Sequence, residues 1–216
     1  MSRGELQDKL GTLLECAGMP PSSTTAGVVA RPSLRDLPTL GGEILELYHR
    51  LGGVQNTPRL LPGDWDMLAG GILVELDEDQ HFNRYRALTL TPTWTDQLPW
   101  AEPYRQWCVT GEPICLRHKS GGGFWTNDPS QRQFGPAGPP GDLDHPGGSP
   151  RWKQRALYDA IRDAYALEPG HRPLARVSIH DTIDGNALGQ ILAGQASCSS
   201  HALVELVRSR AVTAGA

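Results

Sequence analysis

Residues 64–81 read DWDMLAGGILVELDEDQH, and this stretch decides the fold that the rest of the chain is expected to build. Two short β-strands are predicted on either side of Ala69-Gly70-Gly71, and side chains alternate between the two faces of a strand. The apolar residues of each strand then share one face, which would enter a core: Trp65 and Met67 in the first strand, and Ile72, Val74 and Leu76 in the second. The acidic residues are left together on the opposite face.

The turn decides whether the two acidic faces coincide. A two-residue turn at Gly70-Gly71, a pair that hairpins favour, sets Asp66 directly opposite Glu75. The same register sets Asp64 opposite Asp77. A turn one residue earlier keeps the four acids on one face, whereas a three-residue loop separates them. Carboxylates roughly 5 to 8 Å apart on neighbouring strands repel each other, and a divalent cation would relieve that repulsion. The alternative is an exposed edge hairpin whose acidic face is hydrated.

The composition is typical of a globular protein. Hydrophobic residues make up 38% and charged residues 20% of 216 residues, which is enough to build a core. No run of about 18 apolar residues occurs, and the N-terminal segment lacks the basic and then apolar layout of a signal peptide. A cytoplasmic location is therefore expected, with the four cysteines as free thiols. The net charge of −4 argues against broad binding to nucleic acid, but an acidic centre can lie beside a local basic groove.

The order of the predicted elements indicates an α/β fold with a small mixed sheet flanked by helices. Helical apolar spacing or composition predicts helices at 6–16, 41–51, 82–90, 101–109, 151–166, 187–192 and 202–211. A strand is predicted at 175–179. We divide the chain into an N-terminal helix and connector at 1–38 and an α/β domain at 39–216. A Gly/Pro-rich insertion at about 91–150 interrupts this domain, since its Gly and Pro clusters allow no long helix or central strand between 121 and 150.

The segment from Glu75 to His81 resembles the Glu-x-Asp-Gly-x-x-His segment of nucleases related to the very-short-patch-repair endonucleases. These nucleases are a branch of the PD-(D/E)xK restriction-endonuclease-like superfamily. In that branch an Asp near the end of one strand precedes the segment, as Asp66 does here. A helix with basic residues and an apolar strand with an embedded Arg follow, and residues 153–166 and 174–179 are similar in kind. The resemblance implies a restriction-endonuclease-like fold.

The likeness covers residues 40–92 and 150–182, and it includes two departures from the family's pattern. Glu78 stands where the family has Gly, so a left-handed backbone there would be strained. The insertion is also longer than is usual between the His and the basic helix. The helix before the hairpin, which carries Glu43 and Glu46, would match the first helix of the family, and in some relatives that helix adds a carboxylate to the metal site.

The resemblance implies Mg²⁺-dependent hydrolysis of phosphodiester bonds in DNA. One or two Mg²⁺ ions, or Mn²⁺ in their place, would be held by Asp66 and Glu75 and would lower the pKa of bound water. Asp77 occupies the position of the superfamily's Lys and would be a secondary acidic group. His81 is the candidate for proton transfer, with a partly buried structural histidine as the alternative. The candidate contacts to phosphate oxygens are Arg84, Lys153 and Arg155, with a solvated helix face as the alternative.

Two other classes of function stay open. A catalytically inactive nuclease fold would be a binding or regulatory module whose insertion contacts a partner. A zinc-bearing interaction domain would use Cys108, Cys115 and His118, with His145 or Cys198 as the fourth ligand. The gap between the first two cysteines is looser than in a usual zinc knuckle, and thiols packed as small hydrophobic groups are the alternative. DNA is the expected substrate, RNA stays open, and the sequence does not fix the oligomeric state.

Overall fold

The computed structural model describes residues 3–22, 31–117 and 123–214. Eight α-helices lie within these ranges. They are α1 (Arg3–Cys16), α2 (Gly41–Arg50), α3 (Arg84–Thr89), α4 (Ala101–Arg117), α5 (Asp128–Phe134), α6 (Pro150–Leu167), α7 (Leu188–Leu192) and α8 (Ser200–Arg210). A short 3₁₀ helix, Asp79–His81, follows the acidic hairpin and carries the candidate histidine.

The strands of the same ranges form one mixed sheet and one small ribbon. They are β1 (Pro21–Ser22), β2 (Met67–Ala69), β3 (Ile72–Asp77), β4 (Leu174–Ser178), β5 (Thr182–Ile183), β6 (Asn186–Ala187) and β7 (Ala211–Val212). The sheet has the order β1-β2-β3-β4-β7, in which β3 and β4 are parallel and the other neighbours are antiparallel. β5 and β6 pair separately. The predicted α/β class, with a small mixed sheet flanked by helices, is confirmed.

The hairpin of β2 and β3 turns at Gly70 and Gly71, as predicted. Both glycines have positive φ, at +56° and +83°, which is the backbone that a two-residue type I′ turn requires. The residues that flank the turn pair directly with each other, so the same register places Asp66 opposite Glu75. The first strand is shorter than predicted and begins only at Met67.

Helices cover both faces of the sheet, so every β3 side chain after Ile72 is buried. One core lies on the side of α6 and contains Leu68, Leu73 and Leu174 from the sheet. The other core lies on the side of α1, α7 and α8 and contains Met67, Val74 and Val177. The acidic face of the hairpin is turned towards α6 and is covered by that helix.

The prediction that Trp65 and Met67 share a face is wrong. The backbone bends at Asp66, ahead of β2, so the alternation of a strand does not extend back to Trp65. Trp65 packs in the core beside α6, with its ring centroid 5.1 Å from that of Tyr165. Met67 belongs to the core on the other side of the sheet.

The insertion and the N-terminal segment both pack onto this framework. Trp125 anchors the irregular part of the insertion, since its Nε1 donates to the carbonyl oxygen of Gly138 at 2.9 Å and its ring lies 5.3 Å from that of Trp152. Helix α1 supplies Leu10 and Leu14 to the core that it shares with α7 and α8. Within the described ranges, no helix is both long and apolar enough to cross a membrane.

Candidate functional site

The sheet face towards α6 carries a buried network of charged side chains centred on Arg176 of β4. Its Nη1 donates to both carboxylate oxygens of Asp77, at 2.9 and 2.8 Å, and its Nε donates to Asp163 Oδ1 at 2.5 Å. Its Nη2 donates to the main-chain oxygen of Asp159 at 3.2 Å and lies 3.4 Å from Oδ1 of the same residue. Arg176 is 0% exposed. One guanidinium group therefore connects acids of β3 and α6 and holds the helix against the sheet.

Two further arginines extend the network. Arg86 of α3 donates through Nη2 to Asp163 Oδ2 at 2.7 Å. Arg162 of α6 places its Nε 3.5 Å from Glu75 Oε2 and donates through Nη2 to the main-chain oxygen of Gly63 at 3.2 Å. Burying charges costs free energy that only close pairing and hydrogen bonds offset. Because the acids and arginines alternate in space, each buried carboxylate of this network has a cation beside it.

His81 joins the network through one edge of its ring. Its Nδ1 lies 2.8 Å from Asp159 Oδ2 and 3.1 Å from Asp77 Oδ1. A carboxylate on Nδ1 fixes the orientation of an imidazole ring and leaves Nε2 for chemistry on the opposite edge. The predicted proton-transfer residue is therefore held in one orientation by two acids, one of which belongs to the sheet and the other to α6.

Asp77, His81 and Asp159 also form a group that could hold a metal ion, because one ligand atom from each lies within 4.8 Å of the others. It is the one such group in the described residues. Burial opposes ionisation of the two acids, but Arg176 and His81 outweigh it and keep the pKa of Asp77, and more strongly that of Asp159, below its ordinary value. The two carboxylates are thus already paired with the buried cation Arg176, which leaves less attraction for a metal ion.

The predicted metal ligands Asp66 and Glu75 lie side by side. The main-chain N–H of Asp66 donates to Glu75 Oε1 at 3.1 Å, and that of Leu76 donates to Asp66 Oδ2 at 3.0 Å. Burial raises the pKa of Glu75 to about 8 against the opposing attraction of Arg162, and repulsion from Asp66 adds to the rise. Asp66, just ahead of β2, and Glu75 of β3 repel each other and offer oxygen atoms of the kind that a hard divalent cation prefers, and a bound cation would displace the proton of Glu75.

The proton on Glu75 makes stability depend on pH. The folded protein keeps this proton at pH values where the unfolded chain, with an ordinary pKa of 4.5, has released it. The resulting stabilisation is complete below pH 4.5 and is lost as the pH rises through about 8. We expect urea unfolding in a chelating buffer to show wild-type stability falling across this interval, by on the order of 5 kcal/mol. The Glu75→Gln variant should lack this fall, and a wild-type slope that persists in the variant would contradict the assignment.

A cleft of about 290 Å³ opens beside the network. It is lined by Gly63, Asp64, His81, Arg151, Arg155, Tyr158, Asp159 and Arg162. The three arginines all come from α6, and Arg155 is held in place because its Nη1 donates to the main-chain oxygen of Gln80 at 3.2 Å. Guanidinium groups bind phosphate and carboxylate oxygens through paired N–H donors. The cleft therefore combines walls that suit an anion with an oriented His81 and Asp159.

The other predicted phosphate contacts lie elsewhere. Arg84 forms ion pairs with Glu112 at 2.8 Å and Asp144 at 3.0 Å, away from the lining of this cleft. Lys153 is buried, its Nζ lies 5.6 Å from the ring centre of Tyr85, and burial lowers its pKa. Of the three predicted cations, Arg155 is the one that lines the cleft. Two further acids that the resemblance brings in, Glu43 and Glu46, are exposed on α2 and do not line it either.

The proposed zinc ligands do not belong to the group that could hold a metal ion in the described residues. Burial raises the pKa of the Cys108 thiol to about 12 and that of Cys115 to about 11, so both are protonated. The Sγ of Cys115 donates to a main-chain carbonyl at 2.8 Å. The Nδ1 of His145 accepts a main-chain N–H within its own loop at 3.0 Å. His118 lies outside the described residues.

Glu78, at the position where the resembled family has Gly, is unstrained. Its φ of −95° and ψ of 174° are those of an extended residue, which any amino acid adopts. The departure from the family's pattern therefore does not prevent the segment that follows β3 from delivering His81 to the network.

Five members of the network were not predicted as site residues: Arg86, Asp159, Arg162, Asp163 and Arg176. Two signals could have found them. A single Arg in the middle of the apolar strand β4 needs a buried acid partner. The two acids of α6 are four residues apart, so they share a helix face, and they lie among Ala156, Ala160 and other apolar residues.

A comparison with family models places the chain among known sequences. Residues 46–194 match one family model, described as a family of unknown function (DUF7255). Neither the curated proteins nor the solved structures gave a match. The matched range contains the hairpin, α6, β4 and all the lining residues of the cleft. Because the match covers more than half of the 216 residues, this chain belongs to the DUF7255 family.

Proposed function

We propose that this protein is a metal-dependent endonuclease that hydrolyses phosphodiester bonds of DNA in the arginine-lined cleft. One observation carries the proposal: three arginines of α6 line the same cleft as the His81–Asp159 pair, and one of them, Arg162, contacts Glu75. A phosphodiester is an anion that needs cations to bind it and a proton acceptor to activate water. The cleft offers both within one small volume.

Each side chain of the cleft and the acid pair would have a separate role in the reaction. Arg151 and Arg155 would bind the non-bridging phosphate oxygens and orient the scissile bond. His81 would accept the proton of the attacking water at Nε2, because Nδ1 is held by the two acids. Asp159 and Asp77 would then stabilise the imidazolium that forms. A divalent cation held by Asp66 and Glu75 would lower the pKa of bound water and act as a Lewis acid.

The restriction-endonuclease-like relationship is part of this proposal. The acid pair on a tight hairpin, the His after the second strand and the Arg inside β4 support it. The proposed setting is the cytoplasm, which four cysteines without a disulfide support.

A second candidate is a DNA-binding module without catalysis. This candidate is favoured because arginines already neutralise the acids. Arg162 lies against Glu75, and Arg176 donates to both carboxylate oxygens of Asp77. In this case the buried charges would hold α6 against the sheet, and the arginines would bind the DNA backbone without cleaving it. The two candidates differ in whether DNA is cut when a divalent cation is supplied.

The test is incubation of the purified protein with plasmid and single-stranded DNA, with Mg²⁺, with Mn²⁺ or with a chelator. We expect cleavage with either metal and none with the chelator. Arg155→Ala should lower kcat/KM about tenfold, mainly through KM, because it removes a phosphate contact made before the reaction. Arg105→Ala is the matched control, since this arginine pairs with Asp96 outside the cleft. Cleavage that continues in the chelator would contradict the role of the cation.

A further inference from the structure

We propose that a row of arginines leading out of the cleft forms a track for the backbone of single-stranded DNA, an inference that rests on the proposed function. Two more clefts continue the first one along the surface. Tyr158 lines both the first cleft and a second one of about 410 Å³. Arg59 and Leu61 line both the second cleft and a third one of about 500 Å³. Because neighbouring clefts share lining residues, the three adjoin one another, and we call them together the groove.

The lining of this groove is strongly positive for a protein whose net charge is −4. It contains six arginines and two aspartates: Arg35, Arg59, Arg132, Arg151, Arg155 and Arg162, with Asp64 and Asp159. Both aspartates lie in the first cleft, so the two outer clefts carry positive charge alone. Positive charge concentrated along a groove attracts a polyanion and holds it by releasing its counterions.

The three outer arginines of the groove are not neutralised by acids in the described part of the protein. Arg35, Arg59 and Arg132 are exposed, and their side chains form no ion pair with any residue that the structure describes. In contrast, Arg105 pairs with Asp96 at 2.5 Å and Arg208 with Glu205 at 3.4 Å. These three outer arginines are therefore available to an external anion.

The apolar side chains between the arginines favour an unpaired strand over a duplex. Leu61 is 46% exposed, and half-buried Tyr158 stands where the first two clefts join. The hydroxyl of Tyr158 accepts from Gln133 Nε2 at 2.9 Å, which fixes the ring in place. Bases of a single strand stack on such side chains, whereas a duplex hides the faces of its bases. The groove thus offers cations for phosphates and apolar surface for bases in the same row.

The test measures binding without cleavage, by fluorescence anisotropy of a labelled single-stranded oligothymidylate in a chelating buffer. We expect the Arg59→Ala/Arg132→Ala double variant to bind about tenfold more weakly at moderate salt. The slope of log K against log salt should fall by about 1.4, because each phosphate of a single strand that an arginine no longer neutralises lowers it by about 0.7. Because both side chains are exposed, unchanged thermal unfolding should accompany the weaker binding.

The matched control is Arg50→Ala/Arg208→Ala, which removes the same charge outside the groove and should keep wild-type affinity. Equal weakening by both double variants would overturn the track, because it would show an effect of net charge alone. A duplex that binds as tightly as the single strand, with the same weakening in Arg59→Ala/Arg132→Ala, would overturn the single-strand assignment. The track would fail if this variant bound normally while Mg²⁺-dependent cleavage was present. If Arg59→Ala/Arg132→Ala binds more weakly but the wild-type protein never cleaves DNA, the proposed track is supported and the proposed endonuclease is excluded.

Discussion

Replacing Arg176 by methionine is expected to lower the free energy of unfolding by about 3–5 kcal/mol, the cost of leaving buried carboxylates without their cation. Both oxygens of Asp77 and one oxygen of Asp163 lose their donor in this variant. Methionine fills most of the volume, so the loss reflects unpaired charge more than a cavity. The measurement is urea unfolding followed by circular dichroism, with the midpoint and slope fitted separately.

Two comparison variants make this result specific. Arg208→Met removes an exposed arginine that pairs only with Glu205, and it should change stability little. Arg176→Lys keeps the charge but loses the planar fork that reaches three acids, so it should fall between wild type and Arg176→Met. It also provides a folded variant if methionine prevents folding. A loss below about 1 kcal/mol for Arg176→Met would show that the network is not what holds α6 against the sheet.

Replacing Glu75 by glutamine is expected to reduce cleavage of DNA at least a thousandfold, about 4 kcal/mol of transition-state stabilisation. Glutamine has nearly the shape of a protonated glutamic acid, the form that burial favours in this site. The variant should therefore fold, while it cannot supply the anionic oxygen that a divalent cation needs. The measurement is the rate of plasmid cleavage with Mg²⁺ or Mn²⁺, compared at equal protein concentration.

Glu205→Gln is the control for this experiment, since that carboxylate is exposed on α8 and does not line the cleft. DNA binding by Glu75→Gln in a chelating buffer should match wild type, which separates loss of chemistry from loss of binding. Cleavage that survives the substitution would remove Glu75 from the mechanism. A wild-type protein that binds DNA but never cleaves it, with either metal, would leave the binding module as the function.

Local sequence determined most of the framework. The Gly70-Gly71 pair specifies a two-residue turn, because both positions of this turn need positive φ. The turn fixes the register of the hairpin and so sets Asp66 opposite Glu75. The apolar periodicity of α2 and α6 predicted both helices to within a residue or two of their observed ends. The same local patterns indicated a mixed sheet flanked by helices. Alternation failed at Trp65, where the backbone bends before the strand begins, and for the same reason the predicted pairing of Asp64 with Asp77 does not form.

Packing between distant segments decided the site. The sequence predicted an acidic face on the hairpin, but only the packing of α6 shows that this face is buried and that Arg162 and Arg176 neutralise it. The prediction of phosphate contacts could not separate Arg155, which lines the cleft, from Arg84, which pairs with Glu112 on α4.

What the sequence by itself determined is therefore the hairpin, its register, the helices and the class of the fold, because each follows from interactions between neighbours in the chain. Which charges meet, which are buried and which line the groove was decided by the tertiary structure alone. The physical reason is that the partners of Arg176 lie 13 to 99 residues away along the chain, and charge pairing has no periodicity that a local pattern could reveal.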